Sequence, residues 1–177
     1  MFKKTILSIV LTFQIFVNTA KALVEEPNYN FTFDKFEVFN PGKELSDIKK
    51  TYPNLKLINK SGSTELYEVD IIHQRYKFPL YFQIKDQKVI DYFARLPNYF
   101  IHDTFHQSLI NRFGKQNKFY NKNSTSFYLW TNANGNIVTY SGACTITCFP
   151  IFVHVISNKD QTLLKESLIE KFKKNQL

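Results

Sequence analysis

The chain has 177 residues, 44% of them hydrophobic, with 23 Lys+Arg against 15 Asp+Glu, five Gly, six Pro and two Cys. Those values exclude collagen-like, low-complexity and disulfide-dense classes and argue against disorder, and the length fits one domain or two small ones sharing a core. Eighteen Phe and ten Tyr beside one Trp and one Met turn the expectation toward a sheet-rich fold, because aromatic side chains suit half-buried pleated surfaces.

The first 22 residues read as an address rather than structure. Lys3 and Lys4 make a basic start, residues 5–17 an apolar run, and Ala20-Lys21-Ala22 a small-residue cleavage site. That is the pattern of a secretory signal peptide cut after Ala22. As a helix the apolar run reaches about 20 Å, short of the roughly 30 Å of a bilayer core. No Cys stands near the cut to carry a lipid anchor. Processing would remove three lysines and lower the net charge of +8 by three; a balance of that size favours solubility and weak attraction to anionic surfaces. No later stretch holds about 18 consecutive apolar residues, so no transmembrane segment is expected. The expected location is the periplasm.

The elements follow in chain order. Residues 23–39 form an N-terminal segment, and Asn40-Pro41-Gly42 is a turn signal. Within 44–52, Leu45, Ile48 and Tyr52 share one helical face, and Pro53 ends the helix. Three strands are expected next. The first, 64–72, alternates Leu66, Glu68 and Asp70 with Tyr67, Val69 and Ile71; 76–85 and 88–95 follow, joined by a hairpin turn at Asp86-Gln87. Asp103 or Thr104 caps a second helix with Phe105, Leu109 and Phe113 on its face and Gly114 at its end. Strands over 126–131, 137–141 and 151–157 complete the second half, with Asn134-Gly135 as the strongest hairpin turn. A closing helix carries Leu164, Leu168, Ile169 and Phe172 as its apolar stripe and Glu170 with Lys174 as an i,i+4 pair.

The layout is α-β-β-β twice, plus a closing helix. Shifting the first half by 61 residues sets Tyr52-Pro53 on Phe113-Gly114, Ser63-Thr64 on Ser124-Thr125, Tyr67 on Tyr128 and Val69 on Trp130. An internal repeat is the hypothesis to test first. The expected fold class is α+β: units over 40–100 and 101–158 share one antiparallel sheet, the three helices lie on one of its faces, and 159–177 forms the closing helix. Core candidates from the periodic faces are Leu45, Ile48, Tyr67, Val69, Phe82, Ile84, Phe105, Leu109, Phe113, Trp130, Val153 and Phe172.

The opening Asn40-Pro41-Gly42 … Tyr52-Pro53, and Asn111-Arg112-Phe113-Gly114-Lys115 in the second half, resemble the modules of the beta-lactamase inhibitory protein and of the SmpA/OmlA outer-membrane assembly lipoproteins. The resemblance covers roughly residues 39–157. It implies a Gram-negative envelope and a non-enzymatic role in which a sheet face meets a protein partner.

Side-chain chemistry gives few sites. Cys144 and Cys148 are the two cysteines. An oxidising compartment favours a disulfide between them across a turn, with a soft-metal (copper) site and a redox pair as the alternatives. His102 and His106, spaced i,i+4, are weak metal candidates, but an N-cap at Asp103 or Thr104 would leave His102 outside the helix. No H-E-x-x-H, nucleophile-elbow or P-loop pattern is present, and no cofactor is expected. The basic-aromatic stretch 115–122 fits an exposed loop better than a nucleic-acid clamp in a secreted protein. The expected function is therefore that of an exported binding protein of the cell envelope. By strand alternation its partner-facing residues are Glu68, Asp70, Tyr81, Gln83, Lys85, Phe127 and Leu129. The alternatives are a hydrolase-like periplasmic enzyme with an unrecognised site, or a copper- or thiol-handling protein using Cys144 and Cys148.

Overall fold

A computed structural model describes residues 31–73, 76–97, 102–122, 125–143, 151–159 and 161–174. Period-two alternation builds it. Along 64–73, Tyr67, Val69 and Ile71 are buried on one side, while Glu68, Asp70 and Ile72 on the other are half-buried or exposed. Among the described residues eight strands form one antiparallel sheet: β1 (Lys56–Ser61), β2 (Thr64–His73), β3 (Tyr76–Lys85), β4 (Lys88–Arg95), β5 (Lys118–Lys122), β6 (Thr125–Ala133), β7 (Asn136–Ala143) and β8 (Phe152–Ser157). Their order is β1-β2-β3-β4-β8-β7-β6-β5. The strands of each half stay together, and the halves meet where β4 pairs with β8, Phe93 opposite His154.

Turn chemistry fixes the register. At Asp86-Gln87 both residues take positive φ (51° and 65°), as do Asn134 and Gly135 (53° and 80°). That is the two-residue geometry whose twist matches the strands it joins. Both expected hairpins are present.

Helices α1 (Leu45–Thr51) and α2 (His102–Phe113) pack on the first face of the sheet. Leu45, Ile48, Phe105 and Leu109 enter one core there with Tyr67, Val69, Phe82, Ile84, Trp130 and Val153. Gly114 ends α2 with positive φ, its N–H donating to Ile110 O at 2.8 Å. Among the described residues, no helix is long and apolar enough to cross a membrane.

Several expectations need correction. The C-terminal helix α3 (Leu168–Lys173) does not join the other two. It packs on the second face, where Leu168 meets Leu66, Phe93 and Phe152, because those side chains alternate away from the first core. Phe172 accordingly packs half-buried in this second cluster rather than in the main core, and Phe113 is only half-buried. Residues 161–166 form a 3-10 helix instead of the first turns of α3, and Glu170 pairs with Lys173 rather than Lys174. Among the described residues each half has four strands, not three, since β1 and β5 were not expected. Helix α2 includes His102, so neither Asp103 nor Thr104 is its cap. Finally, Phe33–Phe39 forms a 3-10 helix that buries Phe33, Phe36 and Phe39 in the first core.

Candidate functional site

The second sheet face holds every residue expected to meet a partner, and α3 divides it. Gln83 on β3 and Asp91 on β4 are direct cross-strand neighbours. They are 1% and 0% exposed. Gln83 Nε2 donates to Asp91 Oδ1 at 2.8 Å and to Glu166 O at 3.1 Å, and Lys171 Nζ donates to Gln83 Oε1. The other Asp91 oxygen, Oδ2, accepts from Leu168 N at 2.6 Å and lies 3.1 Å from His154 Nε2.

This network is a clamp. A helix of six residues leaves its first N–H groups without internal acceptors, and here a carboxylate from the sheet supplies one of them. Gln83 therefore faces this chain's own helix, which corrects its expected place on an open surface. The expected face is closed at its centre and open at its flanks.

On the β1–β3 flank, Glu68 is half-buried. It accepts from Lys56 Nζ at 3.0 Å and from Tyr81 Oη at 3.4 Å. Burial, then the Glu68 charge, holds the Tyr81 phenol above its ordinary value. Asp70 and Lys85 are exposed, and Asp70 pairs with Lys77 at 2.9 Å.

On the other flank, Phe127 and Leu129 of β6 are half-buried. Phe127 stacks on Tyr120 of β5 with ring centroids 5.0 Å apart and planes 14° apart, and it also packs against the α3 cluster. Tyr120 was missed as a face residue because β5 was not expected. Its place two residues from Lys118 was the available signal, since alternation puts the two on one side.

The histidine pair lies on the first face. His102 and His106 stack nearly parallel, centroids 5.8 Å apart and planes at 5°. His102 Nδ1 sits 2.7 Å from Tyr140 Oη, and His106 packs 4.0 Å from the Tyr128 ring. Burial lowers both histidine pKa values and raises that of Tyr140 well above the usual phenol range. Both groups are favoured in their neutral forms, and the Nδ1–Oη hydrogen bond between them ties the first turn of α2 to β7. Parallel stacking does not aim two ring nitrogens at one point, and no group of three or more His, Cys, Asp or Glu among the described residues is placed to hold a metal ion. Gly142 lies directly under His102: a Cβ there would come within 2.1 Å of the imidazole Cε1.

Cys144 and Cys148 lie outside the described residues. A cleft of about 720 Å³ between the Phe33–Phe39 helix, α1 and β2 is lined by Asp34, Glu37, Asp47 and Asp70. Each of these acids is already paired: Asp34 and Glu37 with Arg112, Asp47 with Lys50, and Asp70 with Lys77. No family model, curated protein or solved structure matches this chain.

Proposed function

We propose that this chain is an exported binding protein of the cell envelope that recognises a protein partner with the open flanks of its second sheet face, foremost the β5–β6 wing. The observation that carries this reading is the Tyr120–Phe127 stack with Leu129 beside it. Large aromatic and aliphatic surface stands partly in solvent on a sheet that is already ordered, so docking costs little conformational entropy, and aromatic residues are enriched where proteins meet. Export is supported by the basic start, apolar run and Ala20-Lys21-Ala22 site of the first 22 residues.

The same reading takes the two halves as copies of one unit of the kind the inhibitory-protein and SmpA/OmlA resemblance implies. Each half runs helix then four strands, and the sheet order is the mirror arrangement expected of two meanders joined at their last strands. Thr64 and Thr125, matched by the 61-residue shift, are the first residues of β2 and β6.

Capture tests the function. Immobilised protein exposed to envelope extract should retain a partner in near-equal amount, and retention should fall about thirtyfold for Leu129→Glu, the size of a hot-spot loss, while the circular dichroism of the sheet is unchanged. Equal retention by the variant, or turnover of a small substrate with no stable partner, would overturn the reading.

A further inference from the structure

The two ends of the sheet are chemically unlike. On β1, Lys56 faces Glu68 and Lys60 faces Glu65, ion-paired at 3.0 and 2.7 Å. A register shift between Leu57 and Asn59 also breaks that edge. Bulges are one way in which exposed edges are kept from pairing with other chains, and edge lysines are another.

β5 differs: its Lys118 and Lys122 oppose pairing with a like-charged strand but not with one that carries carboxylates. It pairs with β6 in continuous register from Lys118 to Lys122, and no described strand lies on its other side. Its lysines stand opposite Leu129 and Thr125 rather than carboxylates. Between them Phe119 and Tyr120 are 51% and 47% exposed, each resting on a ring of β6, Tyr128 and Phe127, with centroids 5.0 Å apart.

We propose that the outer edge of β5 is a strand-docking site that takes an extended, acidic segment of the partner protein as a ninth strand. This rests on the reading that the β5–β6 wing binds a protein. Main-chain N–H and C=O groups would supply the affinity, and the side chains the choice of sequence. Charge selects the occupant. A second copy of this chain, paired antiparallel about Tyr120, would set Lys118 against Lys122 twice, and like charges directly opposite one another destabilise a sheet. An incoming strand with carboxylates at those two positions turns both contacts into opposite-charge pairs. Phe119 and Tyr120 point to opposite faces, so a central aromatic or β-branched residue finds an aromatic neighbour on either side.

The probe is a blocked heptapeptide, Thr-Glu-Val-Tyr-Val-Glu-Thr. Its Tyr falls opposite Tyr120, and its two Glu fall opposite Lys118 and Lys122. Titrated calorimetrically into the full-length protein as isolated from cells, it should bind saturably, and about tenfold more weakly to Lys118→Glu/Lys122→Glu, two cross-strand charge pairs having been reversed. Two further probes carry backbone N-methyl groups on alternate amides, one set on each edge of the peptide. One should lose binding and the other keep it, because only one edge of an added strand faces β5. Equal behaviour of the two methylated probes, or no binding of the parent peptide up to about 1 mM, overturns strand docking. If the peptide fails while Leu129→Glu still abolishes capture of the envelope partner, strand docking alone is wrong. If capture also survives Leu129→Glu, the wing is not the binding surface and both readings fall.

Discussion

Asp91 Oδ2 accepts the backbone N–H of Leu168 at 2.6 Å, across 77 residues of chain. One buried side chain on β4 thereby serves the helix start on α3, the Gln83 amide and the His154 ring at once. The link decides how much of the second face is open.

Asp91→Ala should accordingly cost about 3 kcal/mol, because it leaves buried donors without an acceptor. Asp91→Asn, which keeps one carbonyl oxygen, should cost less. Urea denaturation of the three proteins measures the order. A loss below about 0.5 kcal/mol for the alanine variant, the range of ordinary surface substitutions, would mean that α3 is held by Leu168 and Phe172 alone.

Gly142→Ala tests the first face. The added methyl would meet the His102 ring, so the first turn of α2 must shift. Overpacking of this kind costs about 1–3 kcal/mol. Gly142→Ala combined with His102→Ala should recover part of that loss, since the clash is then removed. No recovery would show that Gly142 matters for some other reason.

Acid should loosen the same corner. Burial lowers the folded pKa of His102 and His106 below their ordinary 6.5, with the nearby Asp103 opposing it in both. Folding therefore favours the neutral rings, and their contribution is complete above about pH 6.5 and lost as pH falls through the depressed folded values. Glu65 acts in a more acid window. Hydrogen bonds from Lys60 and Tyr67 hold its pKa below 4.5, so its contribution is lost only as pH falls below that value. Thermal midpoints from about pH 5 to 8 should decline toward acid in the wild type and flatten in His102→Asn/His106→Asn. A parallel decline in both proteins would contradict the assignment.

The proposed Cys144–Cys148 bond makes the untreated protein two hydrogens lighter than the reduced form. Its short loop limits its worth to about 2 kcal/mol, so reduction should lower the denaturation midpoint without unfolding the sheet. Two alkylatable thiols in protein isolated without reductant would exclude the bond, and metal co-purifying in equal proportion would favour the copper alternative.

Much of this fold was legible where the signal is local. Alternation in β2 and β3 and the turns Asp86-Gln87 and Asn134-Gly135 depend on neighbouring residues. β1 was not legible because Lys56–Ser61 is exposed along its whole length, leaving no apolar side to alternate with a polar one. Phe33, Phe36 and Phe39 did carry a sign: a spacing of three matches the three residues per turn of a 3-10 helix. The placement of α3 had none. Leu168 reaches Asp91, and Lys171 reaches Gln83, across 77 and 88 residues, and no periodicity within either segment encodes which face the other occupies. For the same reason Gln83 looked like a surface residue by alternation while serving a buried clamp.

Site-specific photocrosslinking in the intact cell tests the binding surface most directly. A photoreactive residue at Leu129, on the β5–β6 wing, should yield one discrete protein adduct. The same residue at Lys43, exposed in the turn before α1, should yield none. Adducts from Lys43 but not Leu129, or from neither, would contradict recognition through this face.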